Sequence, residues 1–191
     1  MKVENTQWQE HLTEIDKYMC VGGGGKNLLS GNVCLNAGDG VKLLPFEQDG
    51  YTYRFADIHD YESVKCVVDE VFQFDLLKDN FIEYYNNSNF KILIALMGEQ
   101  PAGTLCMERQ CDYFNNKRII IFVRNAGIRE KFRRNGVFKQ LYAIAYEYAK
   151  LMNAAAIELT CANYRSAAHN FYLNNGFTKK KTTVFIREIE V

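Results

Sequence analysis

The chain has 191 residues, of which 48% are hydrophobic, and it carries 23 basic and 23 acidic side chains. This length and apolar content suit one enzyme-sized domain with a full core. A net charge of zero gives no long-range attraction to nucleic acid or to an anionic membrane, so any electrostatic function must be local.

The cysteines and the N-terminal segment exclude several further classes. No CxxC pair is present, and no histidine stands near a cysteine at metal-ligand spacing, so we expect no metal and reduced thiols. The N-terminus lacks an apolar stretch, and the longest apolar run, ILIALM, is too short to cross a bilayer. We therefore expect a cytoplasmic protein without a membrane partner. The cysteines are Cys20, Cys34, Cys66, Cys106, Cys111 and Cys161.

Residues 1–50 are predicted to form a glycine-rich N-terminal extension, either docked or lid-like, before a domain over 51–191. Thr6 and Gln9 fit a capping box at the start of a helix that the run Gly22 to Gly25 would stop. Alternating apolar residues on both sides of the NAGDG turn indicate a hairpin. They are Val33, Leu35, Val41 and Leu43.

The GGGGK run within this extension could be taken for a phosphate-binding P-loop. That motif needs a glycine, four residues, then Gly-Lys-Ser/Thr after an apolar strand. Cys20 stands where the first glycine should be, and Asn27 follows the lysine. We therefore reject the P-loop.

From residue 51 onward the apolar residues recur at strand or helix spacing. The resulting order of elements predicts a mixed α/β sheet flanked by helices. The predicted elements are a strand over 51–55, a helix over 61–74, a second helix containing Leu77, Phe81 and Tyr84, strands over 91–97, 103–110 and 118–128, a helix after residue 136, a strand over 154–162, a helix over 166–175 and a final strand over 177–189.

The stretch REKFRRNGVFKQLYAIAYEYAK, residues 129–150, places cationic charge and a glycine at the start of a helix. A helix N-terminus offers unpaired N–H groups and the positive end of the helix dipole to an anion. Gly136 would let the backbone approach a phosphate closely, and Arg133 or Arg134 would neutralise charge. The alternative is a solvated basic turn before an ordinary amphipathic helix.

Two motifs together resemble the GCN5-related N-acetyltransferase (GNAT) family. Arg133 and Gly136 match its coenzyme signature of Arg or Gln, two residues, Gly, one residue, then Gly or Ala, although Phe138 replaces the last small residue. Later, IELTCANYRSAAHNFYLNNGF resembles the family's strand and helix ending in Phe-Tyr, three residues, Gly-Phe. The resemblance covers roughly residues 51–190 and implies the GNAT fold, with a mixed, mostly antiparallel central sheet.

The resemblance implies acetyl-CoA as cosubstrate and an unknown amine as acceptor. Its pantetheine arm would lie between the strand ending near Ile128 and the strand 157–161, pairing with main-chain groups as an added strand would. The implied coenzyme-binding residues are Ala126, Ile128, Arg133, Arg134, Asn135, Gly136, Val137, Phe138 and Asn163. Phe138 could turn its ring into the apolar face of the helix, and Asn163 could instead cap the next helix.

The implied reaction is direct attack of a neutral amine on the thioester, with Tyr172 in the position of the family's general acid. Without the family, an aromatic pair on a short helix is ordinary core. The strand 119–126 contains no carboxylate, so a water relay is one route for the amine's proton. Glu158 and His169 are the other candidate bases, although Glu158 could be a solvated or paired strand residue and His169 a structural one.

Several alternatives stay open at this point. A non-catalytic acyl-CoA-binding or regulatory module would keep the fold, and transfer of another acyl group would need a roomier pocket. The run KKK over 179–181 suits a solvated edge better than nucleic acid. The predicted C-terminal strand and the unassigned extension of residues 1–50 are compatible with a homodimer or with a covered active site. Acceptor-pocket candidates that could equally be core are Phe72, Phe74, Phe81, Tyr84, Tyr85, Tyr113 and Phe114.

Overall fold

The computed structural model describes residues 34–37, 40–43 and 45–189. The predicted helix between Thr6 and Met19 and the GGGGK run lie outside the described residues. Strands Cys34–Ala37 (β1) and Gly40–Leu43 (β2) pair antiparallel with Ala37 opposite Gly40, which confirms the predicted hairpin.

Six further strands form one sheet whose spatial order follows the sequence. All neighbours are antiparallel except the last two strands, which are parallel, so the predicted mixed and mostly antiparallel sheet is confirmed. The strands are Phe46–Gln48 (β3), Tyr51–Phe55 (β4), Phe90–Met97 (β5), Gln100–Asp112 (β6), Arg118–Ile128 (β7) and Ala156–Leu159 (β8).

Four α-helices accompany the sheet, and the described chain divides into two compact units between Leu159 and Thr160. The first unit holds all the strands and three of the helices. The second holds the fourth. The helices are Tyr61–Phe72 (α1), Lys78–Asn86 (α2), Val137–Leu151 (α3) and Ser166–Asn174 (α4).

The first unit has one core on each face of its sheet. Alternation along β5 sends Leu93 to one face and Ile92 to the other. On the first face the apolar side of α3, including the fully buried Leu141, covers the four central strands. On the second face α1 and α2 pack through Val64 and Phe81. The sheet is therefore the middle of three layers.

The predicted final strand over 177–189 is wrong, because the structure has no strand there. Among the described residues of this segment, Val184, Phe185 and Ile186 are each more than four-fifths exposed. Alternating apolar residues predict a strand only if a neighbouring strand supplies hydrogen bonds, and the pattern itself carries no information about that neighbour. The strand predicted over 154–162 is likewise shorter, since only Ala156–Leu159 pair with β7.

A bidentate ion pair joins β4 to the turn before α1. Both Arg54 Nη atoms donate to the Asp60 carboxylate, one of them at 2.7 Å, and the Asp57 N–H donates to the same group at 2.7 Å. Burial alone would raise the pKa of Asp60, but the hydrogen bonds from Arg54 and Asp57 and the guanidinium charge lower the pKa below its usual value. Asp60 is therefore ionised and stabilising at neutral pH.

We expect Asp60→Asn to destabilise the fold by about 2 kcal/mol at pH 7, because it leaves a partly buried guanidinium without its charge partner. A carboxyl whose pKa is lower in the folded state stabilises above its unfolded pKa and loses that contribution as the pH falls through the folded value. Urea unfolding at pH 7 and pH 3 should therefore show a smaller difference between variant and parent at pH 3. An equal difference at both pH values would contradict the assignment.

Candidate active site

The loop between β7 and α3 has an unusual backbone. Arg134 has φ of 67° and Gly136 has φ of 76°, so two left-handed residues flank Asn135. Gly136 is the N-cap of α3, and a Cβ built on it would meet no atom within 4 Å. The positive φ therefore favours glycine at this position, whereas the space around it would admit a side chain.

The N-terminus of α3 lies beside two exposed arginines. The N-cap has no side-chain capping bond, and the first turn contains no acidic residue. Arg133, Arg134 and Asn135 are exposed beside it, whereas Val137 is buried and anchors the first turn to the core. A helix N-terminus with two guanidinium groups beside it is the arrangement that the sequence predicted for phosphate binding, and that role stays a prediction.

Three contacts fix this loop from beneath. Arg133 Nε donates to the Ile128 carbonyl oxygen at 3.1 Å, which ties the loop to the end of β7. Asn135 Nδ2 donates to the Tyr51 hydroxyl at 3.2 Å, and the ring of Tyr51 meets that of the buried Phe132 edge to face at 6.2 Å. These contacts with the sheet hold the loop in place.

Phe138 keeps its ring away from the anion site. It is half-buried and packs against the main core, as proposed from the sequence. Replacement of the small residue of the signature therefore does not fill the space in front of Gly136, since only main-chain groups need to face that space.

The edge of β7 next to the loop lacks a strand partner in the described part of the chain. Pairing with β8 ends at Val123 and Leu159, while β7 continues to Ile128. Arg129 N–H donates to Ala102 on the β6 side, so alternation turns the peptide groups of Ala126 and Ile128 to the opposite edge. These are the two residues that the sequence predicted would pair with a pantetheine arm.

A β-bulge in β7, opposite β6, lies close to the point where the pairing of β7 with β8 ends. Leu105 of β6 faces both Asn125 and Ala126, and Asn125 has φ of 45°. A bulge adds one residue to one strand and bends it. The bulge in β7 therefore begins two residues after Val123, the last residue of β7 that pairs with β8.

The second unit carries Asn163, His169 and Tyr172. The ring of Tyr172 lies half-buried between Phe171 and Phe177, with centroid separations of 5.7 and 5.3 Å. His169 stands one helical turn before Tyr172, and its Nε2 lies 3.1 Å from the Ala162 carbonyl oxygen. Donation to that oxygen requires the proton on Nε2 and leaves Nδ1 as the acceptor of a neutral ring.

The capping role considered for Asn163 is wrong. Helix α4 begins at Ser166, its N-cap is Arg165, and that end has no side-chain capping bond. Asn163 itself is exposed. Of the two roles considered, coenzyme binding is the one that stays a prediction.

Comparison with known families settles the classification. A model of the Acetyltransferase (GNAT) family matches residues 55–177. The chain belongs to the GNAT family. The match includes both the loop before α3 and the Phe-Tyr and Gly-Phe pairs around α4, so the resemblance seen in the sequence is confirmed.

Solved structures of GNAT proteins share this fold. An aminoglycoside acetyltransferase from an uncultured soil metagenomic sample is 13% identical, with 75% of this chain and 99% of that chain covered at a TM-score of 0.67. An acetyltransferase of Trypanosoma brucei is 12% identical, with 72% and 99% covered at 0.63. Aminoglycoside acetyltransferase AAC(6')-Iy, bound to a CoA bisubstrate analogue, is 15% identical, with 73% and 98% covered at 0.64. A search of curated proteins finds no significant match.

Glu158 lies on the face of the sheet predicted from alternation. Ile157 and Leu159 pack against the main core, so Glu158 points to the opposite face, which α1 and α2 cover elsewhere. It is half-buried and stands opposite Phe122 of β7. Its role as a base in this GNAT chain stays a prediction.

The aromatic residues proposed for an acceptor pocket differ in their exposure, from buried core to fully exposed. Phe81 is only 1% exposed and belongs to the second core, so the core alternative is the correct one for it. Phe74, Tyr113 and Phe114 are more than half exposed and are available to a ligand.

Sequence reasoning missed the contacts that hold the loop between β7 and α3 in place. The Tyr51 hydroxyl and Asn135 are 84 residues apart, and Arg129 pairs with Glu70 across 59 residues. Neither pair leaves a local signal in the sequence, since each depends on which strands and helices become neighbours.

The described residues contain neither a cluster of metal ligands nor a membrane-spanning helix. No group of three or more potential metal ligands occurs there, and none of the helices in this part is long and apolar enough to span a bilayer. Four of the six cysteines, Cys66, Cys106, Cys111 and Cys161, are free thiols. Burial raises the pKa of Cys106 to about 12, so this group stays a protonated core residue at neutral pH.

Proposed function

We propose that the chain transfers the acetyl group of acetyl-CoA to a primary amine of a small molecule or peptide. One observation carries the proposal: the uncapped N-terminus of α3, with Arg133 and Arg134 beside it, follows directly on the open edge of β7. Phosphate and an extended amide chain are the two parts of CoA that such an arrangement would bind.

The diphosphate would be bound by N–H groups between Arg134 and Phe138, and the pantetheine amides by Ala126 and Ile128. The Ile128 carbonyl oxygen already accepts a bond from Arg133 Nε, and a carbonyl oxygen has two lone pairs. A pantetheine N–H can therefore share that oxygen while the Ile128 N–H donates to a pantetheine carbonyl. Asn163 is proposed as a further polar contact to the coenzyme.

In the reaction, the amine nitrogen would attack the thioester carbon, and the carbon–sulfur bond would break. The thiolate of CoA would take the phenolic proton of Tyr172, and the amide product would be released. The support for Tyr172 is its place in the Phe-Tyr motif and a ring held by two aromatic neighbours. A water relay, Glu158 or His169 would accept the amine's proton, because β7 carries no carboxylate.

The acceptor class is proposed as an amine with several polar groups. Two of the structures with this fold are aminoglycoside acetyltransferases, so aminoglycosides come first in a substrate screen. Small polyamines and peptide N-termini follow as other primary amines, and the exposed aromatic residues Phe74, Tyr113 and Phe114 are the candidates for their contacts.

The coenzyme site is tested by thermal unfolding with acetyl-CoA and with free CoA. At a concentration one hundred times the Kd, a ligand stabilises a protein by about 2.7 kcal/mol, which raises Tm by several degrees for a chain of this length. We expect a rise with both ligands. No rise at millimolar concentration would overturn the proposal.

A non-catalytic acyl-CoA-binding module is the second candidate, favoured by the absence of a carboxylate on β7. It predicts the same rise in Tm. Release of CoA thiol in the presence of the amine panel separates the two, because only an enzyme produces it in proportion to acetylated amine.

A further inference from the structure

Glu70 connects α1 to the start of the loop between β7 and α3 through both of its carboxylate oxygens. Oε2 accepts from Arg129 Nε at 2.6 Å, and Oε1 accepts from the Glu130 backbone N–H at 2.9 Å. Arg129 in turn donates from Nη1 to the Pro101 carbonyl oxygen at 3.0 Å. Glu70 therefore joins α1 to the segment directly after β7, and Arg129 extends the connection to Pro101 near the start of β6.

Close packing brings α1 to this place independently of the carboxylate. A Cβ built on Gly127 would lie 2.5 Å from Val71 Cγ1 and 2.9 Å from Phe72 Cζ. Only a residue without a side chain allows the C-terminal end of α1 to lie this near β7. Glu70 is consequently placed against the loop by the packing of its two neighbours.

The bonds to Glu70 begin a short series that leads into the anion site. The Phe132 N–H donates to the Arg129 carbonyl oxygen at 2.9 Å, and the Arg133 N–H donates to that of Glu130 at 3.1 Å. Arg133 then returns to Ile128 through its side chain. A carboxylate that fixes Arg129 and Glu130 therefore fixes the turn from which the loop emerges.

We propose that Glu70 is a positioning residue that holds the loop before α3 in its coenzyme-binding conformation. Its relevance to coenzyme affinity rests on the proposed function, but its effect on the loop does not. The hydrogen bonds from Arg129 and from the Glu130 N–H lower the pKa of Glu70, so the group acts as a carboxylate at neutral pH.

Charge and positioning predict opposite effects of Glu70 on CoA. A carboxylate near an anion site repels the phosphates, and it also pairs with a guanidinium that could attract them. Charge alone therefore predicts tighter CoA binding by Glu70→Gln. Positioning predicts weaker binding, by about tenfold, because the amide cannot accept from both Arg129 and Glu130 with charge-assisted strength.

The experiment compares Glu70→Gln with Glu62→Gln in the full chain. Glu62 lies in the first turn of the same helix and is exposed, so its replacement makes the same change in net charge away from the loop. Two quantities are measured for each variant: hydrogen exchange of the amides of 130–137 without ligand, and the Kd for CoA by calorimetry. The unliganded Tm of each variant shows that it is folded.

We expect the amides of 130–137 to exchange about tenfold faster in Glu70→Gln, with a matching loss of CoA affinity, and neither change in Glu62→Gln. Unchanged exchange, or tighter CoA binding, would overturn the positioning role. If the parent protein does not bind CoA but Glu70→Gln still speeds exchange in the loop, the proposed function fails and the positioning role stands.

A second variant protects the result against general loss of structure. Arg129→Gln removes the same ion pair from the other side, and the double variant completes a cycle. If the pair acts on the loop as a unit, the double variant should exchange no faster than the more affected single variant. Additive effects would show that Glu70 and Arg129 act separately and would overturn the proposal.

Discussion

Gly136→Glu should reduce affinity for CoA at least a hundredfold while the protein remains folded. Gly136 has φ of 76° and is the N-cap of α3, so the variant places a carboxylate directly in front of the amides proposed to bind the diphosphate. Two charges of the same sign that lie about 4 Å apart near a protein surface repel each other by about 4 kcal/mol. Calorimetric titration with CoA measures the loss.

Gly50→Glu is the matched control for backbone strain. Gly50 has φ of 77°, and like Gly136 it meets no atom within 4 Å of a built Cβ, so both variants place a side chain on a left-handed residue in open space. Each should cost about 1–2 kcal/mol of stability. Only Gly136→Glu should lose CoA binding. Equal CoA affinities in the two variants would show that this loop does not bind the diphosphate.

The loop could be predicted because its chemistry is local. A basic turn, a glycine and an apolar helix follow one another along the chain, and a helix N-terminus binds anions wherever the helix lies. Strand β7 was predicted with its observed bounds, 118–128, for a similar reason, since its apolar pattern needs only a buried sheet position.

Features that depend on tertiary neighbours could not be predicted in this way. The helix predicted over 61–74 ends at Phe72 because Gln73 has φ of 58°. A glutamine in the sequence does not predict this left-handed conformation. The segment 177–189 has a strand pattern without a strand, because the pattern does not name a partner. Glu70 escaped notice for the same reason: its two bonds reach residues that only the packing of α1 on Gly127 brings near.

Two kinds of residues therefore build the candidate site, those of the motif and those that hold the motif in place. The motif identifies the backbone groups that would meet the coenzyme, and these are encoded within a few residues of one another. The contacts that hold those groups in place come from Tyr51 of β4, from Glu70 of α1 and from Arg133 of the loop itself. The fold determines how firmly the loop is held, whereas the phosphate binding proposed for the loop depends on its local sequence.

Tyr172→Phe should lower kcat by about 10²–10⁴-fold and leave the affinity for CoA nearly unchanged, because it removes only the proposed proton donor. The ring contacts of Tyr172 with Phe171 and Phe177 are kept by phenylalanine, so Tm should change little. Tyr164→Phe, which alters a tyrosine that is 81% exposed in the same unit, is the control for loss of a hydroxyl. The measurement is CoA release with the best amine of the screen, together with CoA titration of both variants.

A Tyr172→Phe variant that keeps its full turnover would assign the proton to another group. A parent protein without turnover that still binds CoA would favour the binding module. Loss of turnover confined to Tyr172→Phe would support an acetyltransferase that releases its thiol through this phenol.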